Sequence, residues 1–201
     1  MKKILFVGLL TAVAARPAVA QTDKGAKYLG VGVGGLNYSR SAYSRGLSAT
    51  LFPSAGLFVA DNVLLGTDLR LGYAQITSKY PRGSYAYRTV SYGLAPFARF
   101  YVPSTSRHRF FGQLSVGATW TDMRTKLEGA NVGVGPATRY QHDNYQTAGL
   151  ALGYNYFLSP HAALEVTAGY ALRRYNNPVR TTGAFDIRAG FSIFLPSKKS
   201  H

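Results

Sequence analysis

The sequence predicts an all-β chain: one eight-stranded, antiparallel, up-and-down β-barrel that crosses a membrane, with short turns at one end and longer loops at the other. Three observations carry this. From Leu47 to Leu195 an apolar side chain recurs at every second position, a period that suits a strand, because a helix returns to the same face only every 3.6 residues. The intervening parity is rich in Gly, Ser and Thr rather than Lys and Glu, as in Gln113, Ser115, Gly117, Thr119 and Thr121 against Leu114, Val116, Ala118 and Trp120. Finally, no long apolar stretch follows the N-terminus, so any membrane crossing must be made by strands.

The chain opens with MKKILFVGLLTAVAARPAVA: two lysines, an apolar run from Ile4 to Ala15, and small residues at Ala18 and Ala20. That is the pattern of a cleaved export signal over residues 1–20, leaving a single domain over 21–201. Alternation between turn residues then marks eight strands, near residues 27–38, 47–59, 63–77, 87–102, 109–123, 143–158, 162–175 and 184–195. A strand tilted by about 40° needs about ten residues to cross an apolar band of about 25 Å, and each segment is long enough. Connections at 60–62, 103–108 and 159–161 are short, whereas those at 39–46, 78–86, 124–142 and 176–183 are longer and carry more Arg and Tyr. Pro96 falls in mid-strand, where its missing N–H requires a bulge or a local gap.

Alternation alone does not say which face is inside, since a soluble carrier barrel turns its apolar parity inward and a membrane barrel turns it outward. The other parity decides for lipid. It holds Gly30, Gly32, Gly66, Gly93, Gly117, Gly153 and Gly190, which fit a crowded interior, and its charges are Asp68, Arg70, Arg99, Glu165, Arg173, Asp186 and Arg188. Arg forks and carboxylates without Lys point to an interior ion-pair network, because a buried charge is costly unless it is paired. Aromatics at segment ends, such as Tyr73, Tyr92, Phe100, Phe110, Trp120, Tyr154, Tyr156 and Phe185, are placed for interfacial girdles.

The chain has 23 Lys and Arg against 8 Asp and Glu, a formal charge of +15, and no Cys. Anionic partners are favoured and disulfides excluded. The long loops would present Arg40, Tyr43, Arg45, Lys79, Arg82, Tyr85, Arg139, Tyr140 and Arg180 as a basic, Tyr-rich binding surface. No metal-ligand spacing and no cofactor motif is present, and the charge comes without a nucleic-acid recognition fold.

The stretches PSAGLFVADNVLLG, PFARFYVP, FFGQLSVGA and LSPHAALEVTAGY resemble the small eight-stranded outer-membrane barrels of the OmpA/OmpX type, and the porin-family "outer membrane protein beta-barrel domain" of Gram-negative bacteria such as the Bacteroidetes. The resemblance implies short periplasmic turns, longer extracellular loops, a monomer in the bacterial outer membrane, and insertion by the barrel assembly machinery. It also assigns Arg188, Gly190, Ile193 and Leu195 as the assembly signal of the last strand, here followed by a polar tail rather than a terminal aromatic. The expected role is structural, in envelope integrity or in surface binding, with outer-membrane lipid, lipopolysaccharide and an external glycan or polyanion as partners. A narrow pore is the first alternative, and a lipid A-modifying enzyme the second. The enzyme would need His142, beside Asp143, to meet Ser78 or Ser91; no enzyme is expected.

Overall fold

The computed structural model describes residues 22–80, 83–128, 137–176 and 179–197. The export signal at 1–20 and Arg82 lie outside the described residues. The strands are β1 (Lys27–Arg40), β2 (Ser44–Ala60), β3 (Val63–Tyr80), β4 (Gly83–Tyr101), β5 (His108–Glu128), β6 (Ala137–Ser159), β7 (Ala162–Asn176) and β8 (Val179–Leu195). Each pairs antiparallel with its sequence neighbours, and β8 returns to β1, so the sheet is a closed barrel. The turns at 61–62, 102–107 and 160–161 share one end with residues 22 and 197. We call that end the base and the opposite end the rim.

Toward the rim the paired backbone runs well past the predicted ends: β5 reaches Glu128, β6 starts at Ala137 and β8 at Val179. The long excursions there are mostly hairpin arms. Alternation reports two solvents on two faces; once both faces are wet the pattern fades, although the backbone ladder still satisfies its N–H and C=O groups.

The apolar parity faces outward. Leu114, Val116, Leu150, Leu152 and Phe185 are 58–75 % exposed in the isolated chain, while Arg109, Phe111, Gln113 and Thr119 of β5 are buried. A soluble carrier would have the reverse arrangement, with its aliphatic side chains lining a cavity.

Pro96 opens a gap rather than a bulge. On its β3 side it pairs with Thr67, but the β4–β5 ladder stops at Leu94↔Ala118 and resumes, in unchanged register, at Phe97↔Ser115. Pro53 does the same to the β2–β3 ladder between Leu51↔Leu71 and Ser54↔Asp68. In both strands the residue without an N–H sits where no ladder bond is drawn. The β1–β8 ladder extends only from Lys27↔Leu195 to Gly34↔Arg188, and just above it β1 bulges against β2 between Gly34 and Asn37, where Gly35 has φ of 60°.

The interior departs from the expectation of a polar and ionic filling throughout. Its base is a sealed aromatic core of Tyr28, Phe58, Leu64, Phe97, Tyr101, Phe111, Phe157 and Phe194. Ring centroids lie 4.9 Å apart for Phe157 and Phe194, and 5.2 Å apart for Tyr101 and Phe111. Pairs at that spacing contribute about 0.5–1.5 kcal/mol beyond their buried area. Glycine makes room for two of the rings. Phe97 faces Gly66 in register and Phe111 faces Gly153; a Cβ on Gly66 would come 2.6 Å from the Phe97 ring, and one on Gly153 would overlap the Phe111 ring outright.

Candidate functional site

Above the aromatic core lies a charged layer built from inward residues of β1, β4, β5, β7 and β8. The Arg99 guanidinium donates to both oxygens of Glu165, Nη1 to Oε2 at 2.9 Å and Nη2 to Oε1 at 3.0 Å. Its Nε and Nη2 also donate to Gln113 Oε1 at 2.9 and 2.8 Å, and Nη1 to Tyr101 Oη at 3.0 Å. Glu165 Oε2 accepts further bonds from Ser192 and Tyr28, while the Phe111 ring centroid lies 3.9 Å from Arg99 Cζ. Such saturation is the condition under which a buried pair is tolerated.

Arg188 forms the second cluster, donating from Nη1 to Asp68 at 3.2 Å and from Nε to Asp186 at 2.9 Å. Between the two clusters is a cavity of about 30 Å³, walled by Tyr28, Ser54, Asp68, Arg99, Glu165 and Arg188 among others. It has room for a water or two.

The remaining two arginines predicted for this network behave differently. Arg70 and Arg173 have no carboxylate partner among the described residues. Arg70 Nη1 donates to Tyr145 Oη at 3.2 Å, and Arg173 Cζ lies 5.8 Å from the centre of the same ring. The expected single network is therefore two ion-pair clusters with an arginine–tyrosine layer above them.

Sequence reading missed Arg109. It is 4 % exposed at the base, where Nη1 donates to Thr22 Oγ1 at 2.6 Å and to Asn62 Oδ1 at 3.1 Å. Asn62 takes the left-handed turn position at φ 65°, so one turn residue ties the N-terminal segment to the barrel floor. Arg109 shares the parity of Gln113, which was the available signal.

The residues predicted as one rim surface divide between two faces. Arg40, Arg45, Lys79 and Tyr140 lie on the outward parity, Tyr43 sits in the β1–β2 connection, and Tyr85, Arg139 and Arg180 lie on the lumen parity. The outward set is joined by Arg88, Arg124, Lys126 and Arg174. Arg40 stands directly opposite Arg45 across the β1–β2 ladder, and Arg88 opposite Arg124 across β4–β5. Like charges in direct opposition destabilise a sheet. Tyrosine faces partly relieve them: Arg88 Cζ is 5.3 Å from the Tyr73 ring centre and Arg124 Cζ is 5.5 Å from that of Tyr140. Beside them Arg40, Arg45, Lys79, Tyr38 and Tyr43 line a pocket of about 500 Å³.

His142 pairs with Asp122 on the outer face, whereas Ser78 bonds Ser44, and Ser91 bonds Thr121, on the lumen face. The structure does not bring His142 together with either serine. In the last strand Ile193 and Leu195 face outward and Arg188 and Gly190 inward.

A closed ring of eight antiparallel strands, apolar outside and paired-charge inside, defines the class: a small β-barrel of the outer-membrane type. Residues 46–189 match the profile of the family described as "Protein of unknown function (DUF3575)", and the chain belongs to that family. No curated protein matches it. Among solved structures, a major outer membrane protein from Thermus thermophilus superposes with a TM-score of 0.52 at 13 % identity, over 85 % of this chain and 99 % of that one. Neisserial surface protein A gives 0.45 at 18 %, over 85 % and 99 %. OprG from Pseudomonas aeruginosa gives 0.46 at 12 %, over 88 % and 98 %. At 13 % identity the likeness to the Thermus protein concerns the fold alone.

Proposed function

We propose that this protein is exported and inserted, by the barrel assembly machinery, into the bacterial outer membrane, and that it works there as a monomeric, non-conducting barrel whose basic, Tyr-rich outer end grips anionic groups of the envelope surface. The carrying observation is the change of chemistry along the outward parity. On β2 it passes from Leu57 and Leu51 through Leu47 to Arg45, and strands β1, β3, β4, β5 and β7 place Arg40, Lys79, Arg88, Arg124, Lys126 and Arg174 on the same outward parity toward the rim. An amphiphile with acyl chains against the aliphatic band and phosphates against the arginines fits that sequence of contacts, and lipopolysaccharide has that build. Two opposed Arg pairs make the case stronger, since an anion between them removes the repulsion that the bare sheet carries.

The base argues for a structural role over a pore. Phe58, Phe157 and Phe194 are wholly buried in the lumen, so conduction would require dismantling an aromatic core. In this reading the interior charges Arg99, Glu165, Asp68, Asp186 and Arg188 brace the cylinder.

Fractionation on a sucrose gradient tests the location: the protein should travel with outer membranes and change gel mobility on boiling. Co-purified lipopolysaccharide should fall severalfold in the variant Arg88→Gln/Arg124→Gln. Planar-bilayer recordings should show no steady open state. Recovery in the soluble periplasmic fraction, or a stable conductance, would count against the proposal.

A further inference from the structure

We propose that the upper lumen is a binding site, open toward the rim, for a small doubly charged oxyanion: a free phosphate or sulfate, or the same group carried on a soluble external molecule, held between Arg70, Arg173 and Tyr145.

Below this level every inward arginine of the ionic layer has a carboxylate: Arg99 has Glu165, and Arg188 has Asp68 and Asp186. One pleat higher the pattern stops. Arg70 on β3 and Arg173 on β7 converge on a single phenol without a carboxylate among the described residues, and the Arg173 Nε is buried without an acceptor. A second cation–ring pair continues the ladder upward, with Arg180 Cζ 4.5 Å from the Tyr175 ring centre and Tyr175 5.1 Å from Tyr145. Arg139 also lies on the lumen parity. Of the carboxylates on the lumen parity near this level, Asp186 holds Arg188, and Asp143 accepts the Asn144 N–H at 2.8 Å and forms no ion pair with Arg70 or Arg173 among the described residues.

Beneath this layer Phe52, which is 6 % exposed, sits between the two levels of charge. Its ring centre is 5.5 Å from Arg70 Cζ and 3.8 Å from Arg188 Cζ. Below it come the filled ionic layer and the aromatic core, so the site is reached from the rim. Two guanidiniums on one tyrosine, Arg70 at its hydroxyl and Arg173 against its ring, repel each other, and an anion of charge two cancels both. A tetrahedral oxyanion also supplies enough acceptors for the free N–H groups of both forks and for the Tyr145 hydroxyl, whose oxygen already accepts from Arg70. The inward parity is turned away from the leaflet, which separates this site from the outward ring proposed to meet lipid.

The test is calorimetric titration of the detergent-refolded full barrel with inorganic phosphate, sodium sulfate and glucose 1-phosphate, in chloride buffer at fixed ionic strength. Phosphate and sulfate should bind and raise the unfolding temperature. Arg173→Gln should weaken both by at least about tenfold, since a charge-assisted fork is lost, and in chloride alone it should unfold at or above the wild-type temperature. Tyr145→Phe, which removes one oxygen and keeps the ring, should weaken binding severalfold. Arg107→Gln, in the turn at 102–107 at the opposite end of the barrel, should leave it unchanged. Tighter binding of glucose 1-phosphate than of phosphate would identify a carried group as the ligand, and the opposite order the free ion. The proposal fails if phosphate and sulfate bind no better than chloride, if Arg173→Gln retains full affinity, if that variant is destabilised in chloride, or if Arg107→Gln weakens binding as much as Arg173→Gln does.

Discussion

The base and the rim of this barrel use the same residue types under opposite rules. At the base, Arg99 is buried and every donor direction of its fork is answered by Glu165, Gln113, Tyr101 or Tyr28. At the rim, Arg40 faces Arg45 and Arg88 faces Arg124 with no carboxylate between them. Desolvation explains the difference. An unpaired charge in the base would cost several kcal/mol, whereas in a wet rim the repulsion is screened and stays small. Three carboxylates, Asp68, Glu165 and Asp186, are therefore committed to the inward arginines, and at the rim Arg and Lys outnumber Asp122, Glu128 and Asp143, so positive charge remains there for a ligand.

That contrast can be broken most severely at Glu165. Glu165→Ala strands the Arg99 charge and should cost about 3–5 kcal/mol in denaturant unfolding from detergent, while the double variant Arg99→Met/Glu165→Leu should recover most of the loss. Phe157→Ala removes a wholly buried ring from the core and should cost about 3 kcal/mol in the same assay. Arg188→Gln leaves Asp68 and Asp186 without their cation and should cost about 2 kcal/mol. At the small end, Arg88→Gln/Arg124→Gln should change stability by no more than about 0.5 kcal/mol, or raise it. If the rim double variant proves as damaging as Glu165→Ala, the division into a structural base and a ligand-facing rim is wrong.

The barrel itself was legible because two solvents write two parities: Leu114 and Val116 against Gln113 and Ser115 are enough to orient β5. Where the two faces share a solvent, the text blurs. Near the base both parities are apolar, as in FARFY and RFFG, so Phe100 and Phe110 stand out as girdle aromatics while nothing sets apart their inward neighbours Phe97, Tyr101 and Phe111, which form the plug. Near the rim both faces are polar, so residues 124–128 and 137–142 read as loop when they are paired strand. The inward charges were identifiable by parity, but partners were not. Period says which way Arg70 and Arg173 point, and only the packing of β3 against the far wall shows that they meet Tyr145 rather than a carboxylate. Arg109 was passed over because it lies at the edge of a segment, where parity is weakest.

The ladder between first and last strands ends at Gly34 and Arg188, whereas β5 and β6 stay paired from His108 to Leu127. A cylinder stitched so unevenly has a preferred tear line. Heat, denaturant or a pulling force applied at the ends should unzip it from the rim along that line, and the Arg188 clip to Asp68 and Asp186 sits where the tear would have to start. The same unevenness gives assembly a direction, with the last strand able to dock low on the first before the upper walls settle.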